Sequence, residues 1–283
     1  MVVLPVVRLS LFLRGRVAAI RPPPPPLDLA TQRIGLSFTP GGLLYPYQLG
    51  AATALVDAGI CTPSTPLAGA SSGGILAVTV ALAEAGEASL DDTLRAAYRI
   101  NDYCRDNGDT GGNGNLGAAL AAECDNLLDD AAADLLNGRA GSVTLAVTQL
   151  LPVPRALRVS TFIDREDVKN TILATSCVPF YFKKTPAMMY RGAVCVDGIF
   201  AVRRRHFGAP ELSDVDATVR ICPFPVGNVG LDAPHVIAPD AADSGALARI
   251  ALASPAAANG ALRDLFDRGR RDADAWLLRQ ARS

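Results

Sequence analysis

Histidine is almost missing from this chain of 283 residues: His206 and His235 are the only two. They form no short-spaced ligand pair with each other or with cysteine, which argues against a metal site. The six cysteines (Cys61, Cys104, Cys124, Cys177, Cys195 and Cys222) have neither the paired spacing of a zinc site nor the density of a small disulfide scaffold, and read as reduced core residues. Excess charge is missing too. With 27 basic and 28 acidic residues the formal net charge is -1, and no global field draws the protein onto nucleic acid. No uninterrupted apolar run reaches the ~20 residues that span a bilayer. The uncharged stretch 59–83 is broken by Pro63, Pro66 and several Gly and Ser, so any contact with lipid is made from one side.

A hydrophobic share of 49% supplies a sizeable core, and the length fits one α/β domain. The amino terminus reads differently. Arg8, Arg14, Arg16 and Arg21 stand among apolar residues before the first acid, Asp28, a composition that describes an organelle transit peptide. A plastid or mitochondrion is then expected, with the cytoplasm or a peripheral position on a lipid droplet as the alternative. The prolines at 22–26 act as a stiff spacer, which makes 1–32 a leader and 33–283 the folded domain.

The apolar run 34–38, followed by Pro40, Gly41 and Gly42, predicts a buried strand ending in a tight loop. Residues 47–58 turn helical, with Leu49, Ala52, Leu55 and Val56 on one face and Gly59 ending the helix. A short strand over 66–70 and an apolar helix over 75–85 follow. Helices are predicted over 90–106 and 116–136, flanking a glycine-rich loop at 108–117, then strands over 143–147 and 157–162 and a helix over 165–175. Two more strands read at 193–196 and 219–222. From 246 the tail is helical, with Leu262, Leu265, Phe266, Trp276 and Leu277 as core contacts. The alternation of strands and helices is that of an α/β fold.

Gly69-Ala70-Ser71-Ser72-Gly73 has the G-x-S-x-G spacing between a strand and an apolar helix. A serine at such a turn adopts a strained backbone, and flanking glycines let strand and helix approach. Acyl transfer also needs donors aimed at the oxyanion. The N–H groups of Gly41, Gly42 and Ser72 are the candidates. A dinucleotide fold would want G-x-G-x-x-G at this loop and a P-loop a terminal Gly-Lys-Ser/Thr; neither is present. The hydroxyl needs a base. In a Ser-His-Asp esterase that base would be His206 or His235, yet both sit in loop-like context; the other candidate is Asp197, at the end of strand 193–196 and followed by Gly198.

These residues together resemble the patatin-like phospholipase family. The resemblance rests on Ser37-Phe38-Thr39-Pro40-Gly41-Gly42, Tyr47 and Gly50, the Gly69 to Gly73 elbow, Ala174-Thr175-Ser176-Cys177-Val178-Pro179-Phe180, and Val196-Asp197-Gly198, with Gly269, Asp272-Ala273 and Trp276 similar to its carboxy-terminal helix. The triacylglycerol-lipase branch is the most similar. It implies a three-layer α/β/α fold with a mainly parallel central sheet, and a dyad in which Ser71 attacks and Asp197 is the base. The Gly41-Gly42 loop would be its oxyanion loop. It also implies hydrolysis of phospholipid, galactolipid or triacylglycerol esters at a membrane or lipid-droplet surface, without metal or cofactor. Pro40, Tyr45, Ile199 and Arg203 depart from the family pattern, which leaves a weak or inactive lipid-binding protein as an alternative. Phe180, Tyr181, Phe182, Lys183 and Lys184, near Met188, Met189 and Tyr190, read as an interfacial patch.

Overall fold

A computed structural model describes residues 24–107, 115–240, 244–251 and 257–281. Strand β1 (Ile34–Phe38) is buried at every position because it lies between two parallel neighbours, β2 (Leu67–Gly69) and the later strand Ala217–Ile221. The intervening strands are β3 (Val143–Leu151), β4 (Arg155–Val159), β5 (Met188–Tyr190) and β6 (Ala193–Val196). Ala217–Ile221 is therefore β7, and β8 (Val236–Ile237) pairs with it. The strands join in the order β5-β6-β3-β2-β1-β7-β8, with β4 on β3. The β1, β2, β3, β7 and β8 pairings are parallel, and the β3–β4, β3–β6 and β5–β6 pairings antiparallel.

Helices α1 (Tyr45–Asp57) and α2 (Ser72–Glu84) connect the first three parallel strands, and α2 packs on β1, β2 and β3. Next come α3 (Leu90–Asp106), α4 (Leu116–Leu127), α5 (Ala132–Gly138) and α6 (Arg165–Thr175). The ends of α3 and α6 match the sequence reading because both start on true caps: Ser89 forms a capping box with Asp92, and the Asp164 side chain accepts from the Asp167 N–H. Short α7 (Val226–Val229), α8 (Ser244–Ala251) and long α9 (Asn259–Ala281) finish the chain. On the opposite face β1 is covered by irregular chain, with Ser37 donating its hydroxyl to the Pro210 carbonyl at 2.6 Å. The result is a mixed α/β fold around a central, mainly parallel sheet flanked by helices, as expected.

Several boundaries differ. The helix expected over 116–136 is two helices, because Leu128 turns extended and the Asp129 carboxylate accepts the Ala131 N–H at 2.8 Å, an Asx turn that competes with helical pairing. The strand expected over 157–162 runs from Arg155 to Val159, set by its register on β3. Strands β5 and β8 are too short to carry a sequence signal. All six cysteines are buried and none is in a disulfide. The leader expectation falls largely on residues 1–23, and the glycine-rich loop largely on 108–114, both outside the described residues. Downstream of them, Leu27 already joins the core, and its N–H donates to Gln280 Oε1 at 2.9 Å. None of the described helices is long and apolar enough to cross a membrane.

The tail helix α9 does bury Leu262, Leu265, Phe266 and Trp276, with Leu277 half-buried against the core. It crosses α1 at backbone contact. A Cβ on Gly269 would overlap the Tyr47 carbonyl, and one on Gly50 would overlap the Phe266 carbonyl. Tyr47 fastens the crossing by donating its hydroxyl to Asp272 Oδ2 at 2.8 Å. Gly to Ala inside a helix gains about 1 kcal/mol from propensity alone. At Gly269 the overlap with a carbonyl that cannot rotate away reverses the sign, and Gly269→Ala is expected to destabilise by about 1–3 kcal/mol in urea unfolding.

Candidate active site

Two strand ends meet on β3. Leu145 of β3 pairs with both Gly69 of β2 and Val159 of β4, and Thr148 pairs with both Val196 of β6 and Ala156 of β4. A residue can pair on two edges only if they are opposite, so β2 and β6 share one edge of β3 and β4 takes the other. Because β2 is parallel to β3 and β6 antiparallel, their carboxyl ends point at each other across Ala146 and Val147. Ser71 follows β2 by two residues and Asp197 follows β6 by one. The topology thus brings two residues far apart in sequence to one gap.

Thr175, the last residue of α6, closes that gap. Its hydroxyl donates to the Ala146 carbonyl at 2.6 Å and accepts the Ser71 N–H at 2.9 Å, while its carbonyl takes the same N–H at 3.1 Å. Gly198 comes so near that a Cβ there would overlap the Ala146 carbonyl. On the other strand, the Thr148 hydroxyl donates to the Asp197 carbonyl at 2.7 Å and the Asp197 N–H donates to the Cys177 carbonyl at 2.9 Å. In the sequence Thr175 stands out only within a family motif; nothing local announces that it bridges three segments.

Ser71 stands at φ 56° and ψ -133°, a conformation that an L-residue adopts only at a cost of order 1–3 kcal/mol. The neighbours leave no alternative. A Cβ on Gly69 would overlap the Gly73 carbonyl, and one on Gly73 the Phe38 carbonyl, so strand and helix are in contact through bare backbone. Helix α2 starts immediately at Ser72, three residues earlier than expected, and its first N–H groups flank the serine.

Asp197 is only 1% exposed. Its Oδ1 accepts the Ile199 N–H at 2.8 Å, so the departure at Ile199 costs no backbone donor. Burial pushes the carboxyl up to about 7, against smaller lowering from the Ile199 N–H and from the Ser71 hydroxyl. The hydroxyl acts at the margin of contact, because Asp197 Oδ2 has no partner of ordinary hydrogen-bond geometry. A desolvated carboxyl titrating near neutrality beside a strained serine is a poised proton acceptor.

The glycine loop is a turn rather than an open nest. Gly42 sits at φ 54°, with a Cβ excluded by the Ala251 carbonyl, and opens the 3-10 turn Gly42–Leu44 that leads into α1. The Gly41 N–H is not a free donor: it donates to Ser72 Oγ at 2.8 Å. This corrects the expectation for Gly41, since the serine after the nucleophile uses its hydroxyl to pin the loop. Among the described residues no acceptor meets the N–H of Gly42 or Ser72. Gln48, unremarked in the sequence, holds the loop from behind, its Nε2 donating to the Thr39 carbonyl at 2.8 Å and the Ile221 carbonyl at 2.9 Å.

Of the other departures, Pro40 packs against Gly208, Tyr45 is buried with its hydroxyl toward the Thr93 carbonyl, and Arg203 is exposed. A cavity of about 210 Å³ lies past Asp197, lined by Ile199, Phe200, Val202, Arg204, Phe207 and Val229 among others. One of about 300 Å³, lined by Gln149, Arg155 and Arg191 among others, lies on the β3–β4 and β5–β6 strands instead. The His206 ring is engaged elsewhere. His206 Nε2 accepts from Arg205 Nε at 3.1 Å and its Nδ1 faces Glu211 at 4.0 Å, while burial and Arg220 hold its pKa below the usual range. The His235 carbonyl accepts the Arg220 N–H. The interfacial patch is corrected in part: Phe182 is a core residue whose ring lies against Gly117. Phe180 and Lys184 are exposed, and Tyr181 and Lys183 half-buried.

The family model for the patatin-like phospholipases matches residues 36–203. No curated protein matches the sequence significantly. Among solved structures, VipD from Legionella pneumophila is similar with a TM-score of 0.47 and 11% identity, over 87% of this chain and 67% of that one.

Variants at two positions test the arrangement. Thr175→Val keeps shape but leaves the Ser71 N–H with one acceptor fewer and the Ala146 carbonyl unpaired; a loss of about 1–3 kcal/mol in chemical denaturation is expected, while Thr175→Ser restores most of it. The folded protein holds a proton on Asp197 that the unfolded chain releases between its ordinary value of 3.8 and about 7. Stability therefore falls as pH rises through that window and is level above it. Asp197→Asn removes the penalty, so it should be roughly 2–4 kcal/mol more stable than the native protein at pH 8 and nearly equal at pH 4. A gap that does not widen with pH would contradict the burial argument.

Proposed function

The chain belongs to the patatin-like phospholipase family, a family of lipid hydrolases whose model spans more than half of it, and from that premise we propose that it cleaves glycerolipid carboxylic esters through Ser71 and Asp197. Asp197 takes the hydroxyl proton as Ser71 Oγ attacks the ester carbonyl, and the N–H groups of Gly42 and Ser72 stabilise the oxyanion. Collapse of that intermediate expels the alcohol, which leaves with the proton from Asp197, and an acyl-serine remains. Water then adds to the acyl carbon, Asp197 accepting its proton and returning it to Ser71 as the fatty acid departs. A competing alcohol in place of water gives transacylation. No metal or organic cofactor is needed in this scheme.

The observation that carries the reading is the convergence of β2 and β6 on one edge of β3, with a strained serine and a desolvated carboxyl at the two ends. A histidine base has weaker support, since His206 is hydrogen-bonded to Arg205 rather than to Ser71. Lipid as substrate rests on the family. Product profiling on a mixture of phospholipid, galactolipid and triacylglycerol assigns the lipid class.

Ser71→Ala is expected to abolish both labelling by a fluorophosphonate and ester hydrolysis, and Asp197→Asn to lower kcat by about 10²–10⁴. The His206→Ala and His235→Ala variants should retain activity. The base must be ionised to act, so kcat/KM of the native protein should rise with pH through about 7 and then level off. A rate unchanged in Asp197→Asn and lost in His206→Ala would transfer the role to the histidine.

A further inference from the structure

Seven of the ten large hydrophobic side chains that stand exposed among the described residues fall between positions 150 and 200, which marks this stretch as different from the rest of the surface. Four gather at one place. Leu150, Leu151 and Val153 form the tip of the β3–β4 hairpin, and Met189 lies on β5. Leu151 pairs with Val194 of β6, and Val194 pairs with Met189, so the three side chains form a row across three strands. A bulge between Gln149 and Leu151 explains why the row faces outward. Gln149 is buried, and the extra residue keeps Leu151, 57% exposed, from repeating its inward orientation.

Charge is segregated in the same region. Residues 135–163 and 168–196 contain no Asp or Glu, and the acids between them, Asp164, Glu166 and Asp167, sit at the start of α6, where Asp167 is paired with Arg191. Arg155 and Arg158 of β4 are exposed within the acid-free stretches, and Arg155 is anchored beside the hairpin by donating to Gln149 Oε1 at 3.1 Å. We propose that the β3–β4 hairpin tip and the adjoining row Leu151–Val194–Met189 form a docking surface for anionic phospholipid bilayers, with the neighbouring cations meeting the headgroups. Apolar side chains that enter the interface while cations stay at the headgroup level are what one-sided lipid binding requires. A second copy of the chain fits worse, because a two-fold contact would bring the same positive charge against itself.

The position suits the chemistry, and this part rests on the proposed hydrolase reading. From Val194 on β6 to Asp197, the first residue past its end, the chain takes three steps, about 10 Å at the rise of a strand. Apolar groups seated roughly 5–10 Å into the headgroup boundary would therefore hold the site at the depth of the ester groups.

The test separates docking from turnover. The native protein should co-sediment with vesicles of phosphatidylcholine plus phosphatidylglycerol, less with phosphatidylcholine alone, and less in high salt. The double variant Leu151→Glu/Val153→Glu should lower the vesicle partition coefficient about tenfold or more, with thermal unfolding and hydrolysis of a soluble short-chain ester unchanged. Met189→Glu on the neighbouring strand should weaken partition independently, which guards against a folding defect in the hairpin. Equal partition of native protein and variants overturns the proposal, as does native protein that ignores anionic vesicles or forms a dimer that the double variant splits. Vesicle binding lost in the variants with no ester hydrolysis in any of them would leave docking standing and remove the hydrolase reading alone.

Discussion

The Ala146 carbonyl is the point on which both halves of the site depend. It accepts the Thr175 hydroxyl, which in turn accepts the backbone N–H of Ser71, and it excludes any side chain at Gly198, the residue after Asp197. Strand β3 acts as a ruler here. Because β2 and β6 approach it on one edge from opposite directions, their pairing registers fix how far apart Ser71 and Asp197 stand, independently of the chain between them. The strained φ of Ser71 persists because the surrounding hydrogen bonds and bare glycine contacts over-determine it.

The same arrangement carries a cost in stability. A carboxyl is held where water cannot reach it, with one oxygen satisfied by the Ile199 N–H and the other left for the serine. Folding tolerates this because the surrounding layer is well packed, from Leu145 and Val147 on β3 to Ile172 and Ala174 on α6. Reactivity and stability are opposed at this residue, as they are at the strained backbone of Ser71.

Much of this was legible in the sequence. The run at 34–38, the G-x-S-x-G spacing and the Asp-Gly at the end of 193–196 carry enough local information to indicate strand, elbow and carboxylate, and the capped helices α3 and α6 have sharp boundaries for the same reason. What was hidden is non-local. No pattern in the sequence says that Gln48 reaches the carbonyls of Thr39 and Ile221, that Ser72 occupies the Gly41 N–H, or that Thr175 spans the gap. Phe182 misleads in the opposite sense: an aromatic beside lysines has the composition of an interface residue, and only tertiary packing shows that it fills the core against Gly117.

The crossing of α1 and α9 reaches further than its own packing. Helix α1 grows directly out of the turn that begins at Gly42, and α9 is seated on α1 backbone to backbone, with Tyr47 and Asp272 as the clasp. The two helices are therefore fastened to each other, and the glycine turn is continuous with the first of them. A carboxy-terminal segment that touches no reacting atom becomes a brace for the amides beside the nucleophile.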